Sequence, residues 1–234
     1  SFNIIFGEEN SIVGVVTVIL LLTFRFSNLN FNVKQSGITL FGVFIIYIIN
    51  PYLASISNPI ISSIINFVSI ITIIILSCHN VQLSNQSTLV LSYLLLYGNE
   101  VNDFRGYINR IFGLILGGII VTSIFYYRQR KNKFENTFIT IIKDISFNDD
   151  RTKWQIKLAL GICSAMLIGE ILNLPRTIWI GISCMSILHP TQEKSEIRYK
   201  KRPIYVVLGS IIFGIVYLVL PKEFRGYMGI IGGL

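Results

Sequence analysis

Long apolar runs alternate with short polar connectors along the whole chain. Eight runs can be drawn, at about 11–24, 37–54, 60–78, 87–98, 108–127, 155–172, 178–189 and 204–220, and a ninth opens near 227. Within each run the apolar residues are nearly continuous, the pattern of a helix that is apolar on all sides. Most runs approach the ~20 residues that a helix needs to cross a bilayer. Those at 87–98 and 178–189 are shorter, and each predicts either a half-span or a full span that uses flanking polar residues. The pattern as a whole predicts an all-α fold, a polytopic transmembrane helical bundle.

The connectors sharpen this picture. If every run crosses, alternate connectors share a face. One set is 25–36, 79–86, 128–154 and 190–203; it carries Arg25 and Lys34, then Arg128, Arg130, Lys131 and Lys133, then a further basic series ending at Arg202. The other set holds Arg105, Arg176, Lys222 and Arg225, offset by Glu8, Glu9, Glu100 and Asp103. The excess of lysine and arginine places the first set in the cytoplasm and residue 1 outside. The split holds only if both short runs cross, so it supports counting them. The 128–154 connector also carries Phe134, Phe138, Ile139, Ile141 and Ile142, which suits a short amphipathic helix on the inner membrane surface.

Compared with itself, the chain shows a weak internal repeat. Gly14 falls on Gly181, Lys34 on Lys201 and Gly42 on Gly209, an offset of 167 in each case. In both copies a short run leads into a polar loop and then a run with an early glycine. The copies run in the same direction, so two parallel repeats are expected, a plan common in transporters. The expected organisation is a first transmembrane module at 1–127, a cytoplasmic linker at 128–154 and a second module at 155–234. The repeat also predicts a span upstream of residue 1 and further spans after residue 234, as in the middle part of a longer protein.

Composition agrees. Hydrophobic residues make up 52% of the 234 and charged residues 14%, whereas soluble domains carry about 25% charged residues. The net charge of +8 then reads as a bias toward one membrane face, with lipid as the partner and no nucleic acid. Cys78, Cys163 and Cys184 lie inside apolar runs without metal-ligand spacing, and His79 and His189 stand singly. No metal, no cofactor and no catalytic residues are expected, and the absence of hydrolytic or phosphate-binding motifs argues against an enzyme.

Small residues recur at helical spacing. Gly161, Ala165 and Gly169 form a four-residue ladder, and Gly113 and Gly117 form a Gly-x-x-x-Gly pair; both predict close helix packing. Among polar residues within the runs, Asn66 is expected to bond a neighbouring helix. Arg110 and Lys157 lie within about a turn of run ends, where snorkelling anchors are common. Glu170 is a candidate proton-coupling group. Arg176 and Trp179 stand one turn apart, and His189-Pro190 closes the run that follows. Such a pair marks the head-group level, or it pairs a guanidinium with a carboxylate while the indole stacks on its ring.

The stretch KLALGICSAMLIGEILNLPRTIWIGISCMSILHPT, with its small-residue span, Leu-Pro-x-x-x-Trp and terminal proline, resembles the membrane module of the fusaric acid resistance, or aromatic acid exporter, family. Arg110-Ile-Phe-Gly113-Leu-Ile-Leu-Gly117 resembles that family's Arg-x-x-Gly-x-x-x-Gly span. The likeness covers about 153–220; in the first half Ile12 and Thr23 replace the tryptophan and the proline. The resemblance implies a multi-pass exporter of aromatic or other small organic acids in a bacterial inner membrane, coupled to protons, with a homo-oligomer as a further expectation. On this reading Arg176, Trp179 and Lys157 bind substrate. A membrane scaffold for a soluble domain and a lipid-modifying membrane enzyme are the alternatives.

Overall fold

The computed structural model describes residues 6–77, 79–83, 85–101, 103–174 and 176–219. The ninth run, Cys78 and Pro175 lie outside these residues. Nine helices and two single 3-10 turns make up the regular structure among the described residues, with no strand. The helices are α1 (Ser11–Phe24), α2 (Val33–Ser55), α3 (Pro59–Ser77), α4 (Asn85–Tyr97), α5 (Phe104–Gln129), α6 (Phe138–Lys143), α7 (Asp150–Ile171), α8 (Ile178–Ile187) and α9 (Gln192–Val219). Each apolar run up to 204–220 became a helix.

Local chemistry sets the ends. Asn32 caps α2 through its side-chain oxygen, Asp103 caps α5 by accepting from the Gly106 N–H at 2.7 Å, and Asp149 caps α7. Asn58 accepts from the Ile61 N–H ahead of Pro59, a proline in the first turn where its missing N–H is harmless. α7 ends in a Schellman turn: Asn173 takes φ 51°, its N–H bonds the Glu170 carbonyl, and the Leu174 N–H bonds that of Gly169.

The chain divides into two compact units between Leu188 and His189. In the first, α4 lies at the centre and packs against α1, α2, α3 and α8. α5 packs on α1 and α2, and α7 packs on α3 and α8. The core is apolar and aromatic, with Leu20, Phe44, Tyr47, Ile73, Tyr93 and Phe125 fully or almost fully buried. Four helices, α2, α3, α5 and α7, are long and apolar enough to cross a membrane. Outward faces stay apolar too; Ile38, Ile64 and Phe112 are exposed, as suits helices that touch lipid. The chain is a multi-pass membrane protein.

Glycines allow the closest approaches. A Cβ on Gly117 would strike Thr17 of α1, one on Gly118 would press on Phe41 and Phe44 of α2, and those on Gly161 and Gly169 would meet Leu188 and Thr177. The ladder on α7 thus faces α8.

Hydrogen bonds sort the connectors of this unit onto two ends. Asn85 bonds Ser27 and Asn28, Gln129 bonds the Ser27 carbonyl, the Asn32 N–H bonds the Asn136 carbonyl, and Arg151 bonds His79. Connectors 25–36, 79–86 and 128–154 therefore gather at one end, the basic end. At the other end Asn10 bonds Gly106, Tyr107 bonds Ile48, and Tyr97 bonds Ser62 and Glu170.

The short runs resolve differently. α4 reaches from one end to the other: Asn85 bonds the Ser77 carbonyl and Tyr97 bonds Ser62. Its 13 residues rise only ~20 Å, but protein surrounds it, so it needs no lipid-facing apolar length. α8 starts beside Gly98 and Gly169 and finishes with Leu188 against Gly161, eleven residues from the first residue of α7. It covers the far half of α7 and stops there. α1 and α8, the helices paired by the offset of 167, run in the same direction and flank α4.

The linker holds a single helical turn and a half, α6, opened by a capping box between Thr137 and Thr140. Its Ile141 is buried while Ile139 and Ile142 are exposed. The second unit contains α9, 28 residues long with Pro203 inside it; in its first turn the Ser195 hydroxyl donates to the His189 carbonyl and accepts from the His189 N–H.

Candidate functional site

α3 places Ser62, Asn66 and Ser69 at three- and four-residue steps, and α4 places Tyr93 and Tyr97 four apart. These spacings put each set on one helix face, and the two faces meet. The Tyr93 hydroxyl donates to Asn66 Oδ1 at 2.7 Å. Asn66 Nδ2 donates to Ser62 Oγ at 3.4 Å. Ser62 Oγ lies 2.8 Å from the Tyr97 hydroxyl, which donates to Glu170 Oε1 at 2.7 Å. Since the Tyr97 proton points to Glu170, Ser62 supplies the proton in its contact with Tyr97. Each link from Asn66 onward therefore donates toward Glu170, and such an aligned chain polarises itself. Asn66 bonds a neighbouring helix, α4, through Tyr93, as its depth predicts. Beside it, Asn50 of α2 donates to Ser69 Oγ at 2.7 Å.

Arg110 departs from the sequence expectation. Its side chain does not snorkel; the residue is only 6% exposed. Nε donates to Asn10 Oδ1 at 3.2 Å and Nη1 to the Leu96 carbonyl at 3.4 Å, while Nη2 is buried and has no partner among the described residues. Asn10 is itself held by donating to the Phe6 and Gly106 carbonyls, both at 3.0 Å. Arg110 shares its face of α5 with Gly106, Gly113 and Gly117, all buried. A cation set in a small-residue stripe goes where the stripe goes, which is inward. That spacing was the signal for it.

A narrow cleft opens beside Arg110. Tyr47 and Tyr52 of α2, Tyr97 of α4 and Tyr107 of α5 line it, with Pro51 and the exposed Glu100. Tyr52 and Tyr107 stack with centroids 4.2 Å apart and planes 25° from parallel. The Tyr107 hydroxyl donates to the Ile48 carbonyl at 3.0 Å. Pro51 lies inside α2 and interrupts its hydrogen-bond ladder there.

The other candidates lie around this end or away from it. Arg176 is exposed in a left-handed conformation, φ 57°, and its carbonyl accepts from the Trp179 N–H at 3.0 Å. Trp179 is half exposed. Glu170 stands in the last turn of α7, bonded by Tyr97. Lys157 is exposed in the half of α7 nearer the basic end. Fourteen residues separate it from Ile171, ~21 Å along the axis, so it does not join Arg176 and Trp179. Gly113, Ala165 and the other small residues lie within helices, and no group of histidine, cysteine and acids able to hold a metal occurs among the described residues.

Residues 164–234 match the family described as fusaric acid resistance protein-like. The last third of the chain is thus similar to that family, in agreement with the resemblance drawn from its motifs. The matched stretch contains Glu170, Arg176 and Trp179 and leaves out Arg110 and Lys157. No curated protein and no solved structure matches the chain.

Proposed function

We propose that this chain is the membrane part of an exporter that carries small organic acids, aromatic acids among them, outward across a bacterial inner membrane in exchange for protons. The supporting observation is the directed hydrogen-bond chain that ends on Glu170. It links α3, α4 and α7 through the buried Ser62 and Asn66 and the half-buried Tyr97. Polar groups set among apolar spans are retained where protons or substrates must pass. In this reading Glu170 binds and releases the coupled proton. Arg176 and Trp179 receive the acid at the same end, the outer one by the distribution of basic residues. Lys157 gathers anions nearer the basic, cytoplasmic end. The two modules, 1–127 and 155–234 around the 128–154 linker, supply the framework, and protomers associate as a homo-oligomer.

Proteoliposomes loaded with labelled 4-hydroxybenzoate test this. An imposed pH gradient is expected to accelerate release. Glu170→Gln should remove the response to the gradient, and Arg176→Ala and Trp179→Ala should each lower the rate. Absence of flux for every organic acid offered overturns the reading; a protein then recovered with a bound partner is a scaffold, and one that leaves modified lipid is an enzyme.

A further inference from the structure

The Arg110 cleft has the parts of a ligand site and no structural task that uses all of them. Two guanidinium nitrogens tie α5 to Asn10 and to the end of α4, which accounts for Nε and Nη1. Nη2 is left over, buried and without a partner. A guanidinium pairs best with two oxygens of one planar anion. Among the described residues no carboxylate lies within ion-pair distance of it. Glu9 is exposed and acts on it only through space, and Glu100 stands exposed at the rim. The rest of the lining is aromatic. Tyr52 and Tyr107 already form one stacked pair whose outer faces suit a third flat ring.

The geometry points to this cleft as the binding site for one small carboxylate on a flat apolar body, held by Arg110 and stacked on the Tyr52–Tyr107 pair. Tyr97 then has two functions. Its ring lines the cleft and its hydroxyl donates to Glu170, so the anion and the proton meet on opposite ends of one side chain. An anion seated against the ring favours one position of the hydroxyl, and the state of Glu170 favours one position of the ring. This link to Glu170 rests on the transport reading; the binding site itself does not.

Equilibrium binding separates the two. The whole chain is placed in nanodiscs of zwitterionic phosphatidylcholine and titrated with labelled benzoate. Saturable binding is expected, at least tenfold weaker in Arg110→Gln, severalfold weaker in Tyr52→Ala, and somewhat tighter in Glu100→Gln, which removes a like charge from the rim. Arg110→Gln leaves the Leu96 carbonyl and Asn10 short of a donor and can fail to fold. Tyr52→Ala and Glu100→Gln leave those bonds intact and keep the site testable. No benzoate binding by the unaltered chain overturns the site, and so does binding unmoved by all three substitutions. Loss of benzoate binding when anionic phosphatidylglycerol replaces part of the lipid also overturns it, since a head group is then the occupant. Binding abolished by Arg176→Ala and indifferent to Arg110→Gln moves the site to the mouth and leaves transport standing. Binding at Arg110 without flux sinks the exporter and leaves the cleft.

Discussion

The two ends of the first unit are fastened by different kinds of bond. At the basic end, most of the bonds between connectors run from side chains to backbone, with Ser27–Asn85 and Arg151–His79 the side-chain pairs. Asn85 alone accepts from Ser27 Oγ at 2.6 Å and donates to the Asn28 and Ser77 carbonyls at 2.8 and 3.1 Å. Gln129 and Asn136 bond carbonyls of the 25–36 connector, and the Phe138 N–H bonds Gln35. At the other end, beside backbone bonds from Asn10, Tyr107 and Arg110, side chains bond side chains in a connected run: Tyr93 to Asn66, Tyr97 to Ser62 and Glu170, and also Arg110 to Asn10. The first arrangement closes loops and uses all of Asn85's polar atoms. The second leaves a buried cation incompletely paired and an acid bonded through one hydroxyl. The difference teaches where rigidity and where chemistry reside. Substitutions at the basic end should cost stability, and those at the tyrosine end should cost transport.

The largest loss of stability is expected from Asn85→Ala. It strands three partner groups, two on the 25–36 connector and one at the end of α3, and an unsatisfied buried partner costs about 1–3 kcal/mol; a total of about 3 kcal/mol is expected. The apparent Tm in detergent should fall by roughly 10 °C at about 2–4 °C per kcal/mol for a chain of this size. Flux per folded molecule should be unchanged. Flux that falls while Tm holds would break the comparison at its strongest point. Gly169→Leu follows. Its side chain meets Thr177 and Ile180 of α8, and overpacking of this kind costs about 1–3 kcal/mol. Because α8 carries Trp179, this variant should lose both stability and flux, and it marks the boundary between the two regimes.

Much of this was legible in the sequence. The runs at 11–24 and 60–78 differ by at most a residue from α1 and α3, because an uninterrupted apolar stretch bounded by Asn or Pro leaves little choice of ends. The gathering of the basic connectors 25–36, 79–86 and 128–154 at one end was legible too, through charge, but the full crossing of 178–189 on which the alternation also rested is not seen, since α8 stops halfway along α7. Arg110 was not. Treated one helix at a time, it lies near a run end and can reach water. Its burial depends on Asn10, 100 residues away, and on the Leu96 carbonyl. The tyrosine chain was hidden for the same reason. Ser62, Asn66, Tyr93 and Tyr97 declare helix faces by spacing, but no spacing says that those faces meet. By sequence Lys157 and Arg176 both read as substrate-binding cations, although they lie at opposite ends of the 155–172 run, and the length of α7 keeps them apart.

Tyr97→Phe sharpens the comparison from the other side. The ring stays in the cleft and both hydroxyl contacts vanish, so a loss of about 1 kcal/mol is expected, visible as a Tm change of a few degrees. The effect on transport should far exceed that. With the link cut, a pH gradient should no longer accelerate 4-hydroxybenzoate release, while benzoate binding at equilibrium persists. A variant whose flux falls only in proportion to its Tm would reduce the tyrosine chain to packing.

The smallest effect belongs to pH at the basic end. His79 Nδ1 lies 2.9 Å from Arg151 Nη1, and Arg151 also bonds the Asp144 carbonyl and pairs with Asp149 at 3.2 Å. Burial, and next the Arg151 charge, hold the imidazole below its ordinary 6.5, with Asp144 and Asp149 pulling the other way. A depressed histidine means that the unfolded chain binds this proton more readily than the folded one. The stability it confers is complete above about 6.5 and is lost as pH falls through the lower folded value. Acidification from neutrality should therefore lower the apparent Tm slightly, by less than any substitution above. His79→Gln should flatten that slope without changing equilibrium benzoate binding at either pH. His189, lowered by burial and by Arg198 and Lys194 in the second unit, contributes in the same direction, so His189→Gln is the necessary control. A slope that survives both substitutions would place the acid sensitivity at the tyrosine end, where a proton meets Glu170 instead of a latch.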